Sequence, residues 1–203
     1  MAGARRFAPY ISRIMTDGSS LAQLLATLKA HAADGSSPEK RLPPVETWNP
    51  THCGEAGFEI LRDGTWMHEG TRITRESLVR LFASILRKDA DGETYLVTPV
   101  EKIRVRVEDA PFLAVRVDRH GEGAAQTLAF TTNMGDVVTA GPANPLRVRY
   151  DGEEPRPYVL VRGRLEARVL RAPFYELVEW GETRDGRLGV WSGGAWFEIG
   201  MLR

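Results

Sequence analysis

The stretch Thr94–Val117 constrains the chain most. Ile103, Val105 and Val107 alternate with Lys102, Arg104 and Arg106, and alternation of period two puts one row of side chains on each face of a strand. Glu108-Asp109-Ala110-Pro111 interrupts the run, after which Leu113, Val115 and Val117 begin a second alternation. The two runs are expected to form a β-hairpin with an acidic turn, Ala110 being biased extended by the proline after it.

Further strands follow the same pattern. Phe58–Leu61 and Thr65–His68 flank Asp63-Gly64, a strong hairpin signal because both turn residues can take positive φ. Thr127–Thr132, the alternation of Leu146, Val148 and Tyr150, Tyr158–Val161 and Arg164–Val169 read as strands. Leu188–Trp191 and Trp196–Ile199 around Ser192-Gly193-Gly194 read as a last hairpin.

Helices are fewer. Leu78, Leu81, Phe82, Ile85 and Leu86 make one apolar stripe, which predicts a helix over Arg75–Lys88 with Thr74 as N-cap and Ile73 and Leu78 as a hydrophobic staple. Glu76 near its start and Arg87 and Lys88 near its end suit the macrodipole. Pro173–Trp180 fits a helix through Phe174, Leu177 and Val178 with proline first, and a strand through Tyr175 and Leu177; the helix is preferred. Ser19-Ser20 can cap a third helix striped by Leu21, Leu24, Leu25 and Leu28. The prolines at 38, 43, 44 and 50 then make a tether.

The expected organisation is an N-terminal helix and tether (1–44), a first subdomain (45–120) and a second, β-rich one (121–203), with a hinge at Gly121–Gly123. Both subdomains are expected to be mainly antiparallel sheet covered by a helix. Arg106-Val107-x-x-Ala110-Pro111-Phe112 recurs as Arg168-Val169-x-x-Ala172-Pro173-Phe174, and Gly64-x-Trp66-x-x-x-Gly70 as Gly194-x-Trp196-x-x-x-Gly200. The first echo is short enough to arise by chance; with the second it supports related halves.

Composition excludes some partners. Acids and bases balance at 27 each, so the basic excess of a duplex-binding protein is missing and nucleic acid is disfavoured. Only Lys29, Lys40, Lys88 and Lys102 are lysine, against 23 arginines. Genomic bias explains such a ratio, as does placement of arginines to grip carboxylate or phosphate. No apolar run is long enough to span a membrane as a helix. Cys53 is the single cysteine, which fits a reducing, cytoplasmic setting. The N-terminus lacks the apolar core of a secretory signal and is expected to be a solvated tail.

Catalytic motifs are not found. There is no Gly-x-Ser-x-Gly elbow, no Walker loop and no complete Gly-x-Gly-x-x-Gly. His31, His52, His68 and His120 include no i,i+4 pair, so neither a catalytic nor a metal residue is assigned and no cofactor is named. His52-Cys53 are neighbours that point apart on extended backbone. Glu108-Asp109 and Glu153-Glu154 fall in turns and are expected to be solvated. One polar set stands out: Thr98, Glu101 and Lys102 around Pro99, Asn133 closing the Thr127–Thr132 strand, and Arg75 and Arg80 on the helix near both. Such groups at strand ends and helix starts commonly hold small anions, and an ordinary surface ion-pair network explains them equally well.

Several runs together resemble the bacterial domain-of-unknown-function family 1285. They are Leu42–Pro50, Asp63–Trp66, Leu78–Phe82, Leu96–Lys102, Val107–Phe112 and the C-terminal Leu188-Gly189-Val190-Trp191-Ser192-x-Gly194. The resemblance covers about 42–200. It implies a two-domain α+β protein with a duplicated core and a C-terminal half superficially like a pleckstrin-homology fold. It also implies a groove between the halves suited to a nucleotide-like ligand in signalling, and it carries over no catalytic residues. The expected function is a non-catalytic module binding a small anionic ligand through Arg75, Arg80, Thr98, Glu101, Lys102 and Asn133. The alternatives are an enzyme acting on a small phosphorylated or nucleotide substrate in the same groove, and a module whose N-terminal helix docks on a protein partner.

Overall fold

The computed structural model describes residues 42–201; the N-terminal helix expected around Leu21–Leu28 lies outside them. After one 3-10 turn at Val45–Thr47, the first sheet takes β1 (His52–Ile60), β2 (Trp66–His68), β3 (Thr71–Arg72), β4 (Leu86–Lys88), β5 (Thr94–Val97) and β6 (Glu101–Val107). Helix α1 (Glu76–Ser84) lies between β3 and β4. The second sheet takes β7 (Phe112–His120), β8 (Thr127–Thr132), β9 (Val137–Thr139), β10 (Leu146–Asp151), β11 (Glu154–Arg162) and β12 (Leu165–Val169), and helix α2 (Arg171–Glu179) follows it. A three-stranded sheet of β13 (Glu182–Arg184), β14 (Arg187–Ser192) and β15 (Ala195–Met201) ends the chain. No helix among the described residues is long and apolar enough to cross a membrane.

The first two sheets share one wiring. Their orders are β3-β2-β1-β6-β5-β4 and β9-β8-β7-β12-β11-β10. Each is two antiparallel meanders joined by a parallel pair of its first and last strands, β1 with β6 and β7 with β12. A parallel pair needs a long crossover, and the four intervening strands supply it. The Arg-Val-x-x-Ala-Pro-Phe echo falls at equivalent places, since Val107 ends β6 and Val169 ends β12. The chain then continues into a strand in one copy and into α2 in the other. The Gly-x-Trp echo has no such equivalence: Trp66 opens β2 of the first sheet, whereas Trp196 lies in the terminal sheet.

Three expectations need correction. β6 and β7 are not a hairpin; they belong to different sheets, and residues 108–111 carry the chain from one to the other. Each run of alternation finds its partner elsewhere, β6 on β1 and β5, β7 on β8 and β12. A break between two alternating runs looks the same whether the chain turns back or moves on. Second, Gly121 and Gly123 lie in the connection between β7 and β8 of a single sheet, so the structure changes sheet some ten residues earlier than the expected hinge. Third, α1 stops at Ser84 instead of Lys88, with Arg75 and not Thr74 as N-cap. Leu86 pairs with Leu96 in the edge strand β4. Buried Ile85 and Leu86 satisfy the helical period and the sheet core alike.

Pro173 resolves the ambiguous late segment. It sits in the first turn of α2, where backbone N–H groups have no intrahelical acceptor and its missing donor costs nothing. α2 packs on β7 and β14, between the second and terminal sheets. In the first half, Phe82 of α1 is 1% exposed, with its ring 5.2 Å from Phe58 and 6.1 Å from Trp66. Buried side chains from both large sheets form one continuous apolar cluster.

Two outcomes follow from this packing. Phe82→Ala is expected to cost about 3–5 kcal/mol and Leu81→Ala, only half-buried, about 1–2 kcal/mol. Urea denaturation of both variants checks the ranking, which an equal loss would contradict. His68 is buried against Phe58, ring centroids 4.5 Å apart, and burial holds its pKa below the ordinary 6.5. The unfolded chain therefore binds the proton more readily, so stability is full above about pH 6.5 and falls as pH drops below it. His68→Phe should flatten that part of a stability–pH curve; an unchanged slope would place its origin elsewhere.

Candidate functional site

The candidate site grows out of the contact between the two large sheets. Residues 108–111 are pinned as they cross. Glu108 donates its backbone N–H to the Ile60 carbonyl at 3.0 Å, and its carboxylate accepts the Arg62 N–H at 2.8 Å. Asp109 accepts from the Tyr158 hydroxyl at 2.6 Å and pairs with Arg168 at 3.1 Å. Arg168 in turn donates to the Arg62 carbonyl at 2.8 Å. The Asp109 side chain is only 10% exposed, so this acid is a buried brace and not the solvated turn residue expected. Burial, then the bond to Asp109, raises the Tyr158 pKa.

A second brace is Arg162, at the end of β11. It donates to the Ala83 carbonyl of α1 at 2.6 Å, pairs with Asp136 at 3.3 Å and lies 5.0 Å from the Phe112 ring centroid. Burial pulls its pKa below the ordinary value, opposed by Asp136. An arginine nonetheless stays charged, so it spans the seam as a permanent cation.

Beside these braces a cleft of about 360 Å³ opens between the Asp63–Trp66 turn, the start of α1 and the loop after β8. Arg80 and Asn133 both line it, one from each half. Arg80 is exposed, with no hydrogen bond or ion pair among the described residues. Its guanidinium reaches over the second half, since a Cβ placed on Gly135 would lie 3.7 Å from Nη1. Asn133 is partly committed: its Oδ1 accepts from the Leu113 N–H at 3.0 Å, and its own N–H reaches the Leu113 carbonyl at 2.8 Å. Gly64, at φ 81°, is required here, because a Cβ would come within 3.0 Å of both Asn133 and Leu113. The Thr65 N–H holds the Asp63 carboxyl below the usual range.

The other expected site residues are elsewhere. Arg75 caps α1 next to the cleft and bonds Ser77 at 3.1 Å, outside the wall. Thr98, Glu101 and Lys102 sit at the opposite end of the first sheet. Val107 pairs with Ile60 beside the Asp63-Gly64 turn, while Glu101 is at the other end of β6, about 20 Å away at some 3.3 Å per residue. There Thr98 closes a tight turn, its Oγ1 accepting the Glu101 N–H at 3.0 Å. Lys102 pairs with Asp89 at 2.8 Å and lies 4.1 Å from the Tyr95 ring centroid. Burial alone would raise the Asp89 pKa, but Arg87 and Lys102 win and lower it. Arg87, expected at a helix end, instead donates to the carbonyls of Val45 and Trp48 at 2.7 and 2.6 Å.

Sequence reasoning missed Asp63, Thr65, Trp66, Arg72 and Met134 as parts of the cleft wall. The Asp63-Gly64 hairpin signal located the turn without saying what it faces. Among the described residues, no three His, Cys, Asp or Glu side chains gather as a metal site would need.

Two family models together span this architecture. Residues 43–110 match the domain of unknown function (DUF1285), N-terminal domain, and residues 111–199 the protein of unknown function (DUF1285), C-terminal domain. The chain belongs to the DUF1285 family. A DUF1285 family protein from Silicibacter pomeroyi DSS-3, solved by crystallography, is 47% identical, with a TM-score of 0.76 over 82% of this chain and 91% of that one. A DUF1285 family protein from Shewanella baltica OS155 is 31% identical over 61% of this chain and 91% of that one, with a TM-score of 0.48. No curated protein matches the chain. The two DUF1285 matches meet between Ala110 and Pro111, within the crossing from β6 to β7.

Asp109→Ala removes the partner of both Tyr158 and Arg168. It is expected to cost about 2–4 kcal/mol, because a buried cation and hydroxyl lose their acceptor. Chemical denaturation measures it, and a loss under about 0.5 kcal/mol would show the brace to be solvated.

Proposed function

We propose that the chain is a non-catalytic module that binds a small anionic, nucleotide-like ligand in the cleft between the two sheets, in bacterial signalling or stress response. The observation that carries this reading is Arg80, an exposed guanidinium without a partner among the described residues, placed where both halves contribute to one wall. A planar guanidinium fork suits phosphate or carboxylate. The wall also holds Arg72 and the Thr74 hydroxyl, with Asp63 and Glu76 opposite in charge. Attraction for an anion is therefore local to Arg80 and Arg72, in keeping with a chain whose charges balance. Binding is favoured over turnover because the wall includes no histidine, cysteine or lysine.

A thermal-shift screen of nucleotides and phosphorylated metabolites tests this. A ligand at 100 times its dissociation constant stabilises by about 2.7 kcal/mol. Arg80→Ala should abolish the shift while leaving the melting temperature of the free protein unchanged, as expected for an exposed side chain. No shift with any anion, or an equal shift in Arg80→Ala, would reject the reading.

A further inference from the structure

A second groove, lined by both Arg62 and Arg168, has a different chemistry. It has a volume of about 620 Å³ and runs between β7, β11 and the start of α2. Its floor is apolar, including Val115, Pro155, Pro157, Leu170 and Phe174. The pairing of β7 with β8 slips between Ala114 and Arg116. A slip of this kind re-aims a side chain, and Val115 is left 42% exposed in the groove. Tyr175, 62% exposed, stands beside it on α2.

The rim is basic. Arg62, Arg156, Arg168 and Arg171 line the groove against a single acid, Glu154. Arg168 is matched by Asp109, and Arg156 by Asp151 and Glu154. Arg62 and Arg171 are exposed, and neither side chain has a hydrogen bond or ion pair among the described residues. An otherwise neutral protein thus sets two unmatched cations at the mouth of an apolar trough. A bare phosphate would leave the floor wet, and a neutral hydrocarbon would leave the arginines unused. The volume falls within the roughly 300–1,000 Å³ of small-molecule sites and is small for a protein partner.

We propose that this groove binds a single-chain anionic amphiphile, its acid head on Arg62 and Arg171 and its hydrocarbon chain along Val115, Leu170 and Phe174. The site is independent of the Arg80 cleft, and either stands if the other fails.

The test is calorimetric titration of dodecanoate, kept below its micelle concentration, into the full chain. One saturable site is expected. Acetate and dodecanol, each carrying half of the chemistry, should bind about tenfold or more weaker, as should dodecanoate to the Arg62→Gln/Arg171→Gln double variant. Val115→Glu should remove binding by placing a carboxylate in the trough. Arg104→Gln, which deletes one positive charge from the first sheet, should leave it unchanged. All four positions are at the surface, and circular dichroism verifies that the variants fold. The proposal is overturned by the absence of a saturable site, by acetate or inorganic phosphate binding as tightly as dodecanoate, or by full affinity in Val115→Glu or the double variant. It is overturned equally if a short acidic, leucine-rich peptide displaces dodecanoate at lower concentration than dodecanoate itself binds.

Discussion

The fold depends on the parallel pairing of the first and last strands within each large sheet. A lone two-stranded hairpin is marginal in water, and even a three-stranded meander needs a hydrophobic face to bury before it is stable by itself. Joining β1 to β6, and β7 to β12, turns two such meanders into one six-stranded layer with an interior large enough to bury Trp66, Phe82, Phe112 and Phe130. The wiring also fixes where the chain leaves each sheet. β6 ends beside Ile60, so the crossing residues meet the Asp63-Gly64 turn. The seam, its braces and both grooves are built around that point.

Arginine does much of the joining. Arg87 ties the segment before β1 to β4 through two carbonyls, Arg162 ties β11 to α1, and Arg168 ties β12 to Asp109 and to the Arg62 carbonyl. Taking such cations out of water is expensive, and the bonds they form offset most of that cost without leaving a large surplus. Their effect is on geometry: each donor fork satisfies several acceptors in a fixed plane, which sets how the elements meet. The arginine-rich composition thus reflects both surface charge and internal bracing.

Most strands were legible because their faces differ, one row apolar and one charged. The Asp63-Gly64 and Ser192-Gly193-Gly194 turns were legible from turn chemistry. The destination of a strand was not, and β6 and β7 show why: alternation says which face is buried, not which neighbour shares the hydrogen bonds. Leu86 shows the same limit at a helix end, since a stripe of apolar residues suits a last helical turn and a buried edge strand alike. In the candidate site, Arg80 and Asn133 do line one cleft, Arg80 from the middle of α1 and Asn133 from just past the end of β8. Thr98 closes a turn on the Glu101 backbone and Lys102 pairs with Asp89, local roles which no pattern in the sequence separates from ligand binding.

The shared wiring has a consequence for how the molecule folds. Each meander can form from neighbouring residues, whereas each parallel closure unites strands that bracket a whole unit and must await everything between them. Until then β1, β6, β7 and β12 all present open hydrogen-bonding edges. A chain with two like-wired sheets therefore carries its own decoy, because an unpaired β12 offers β1 a second open edge; misassembly between units is a characteristic failure of repeated proteins. The bond from the Glu108 N–H to the Ile60 carbonyl opposes it, extending the β1–β6 pairing past Val107 and so favouring closure within the first unit.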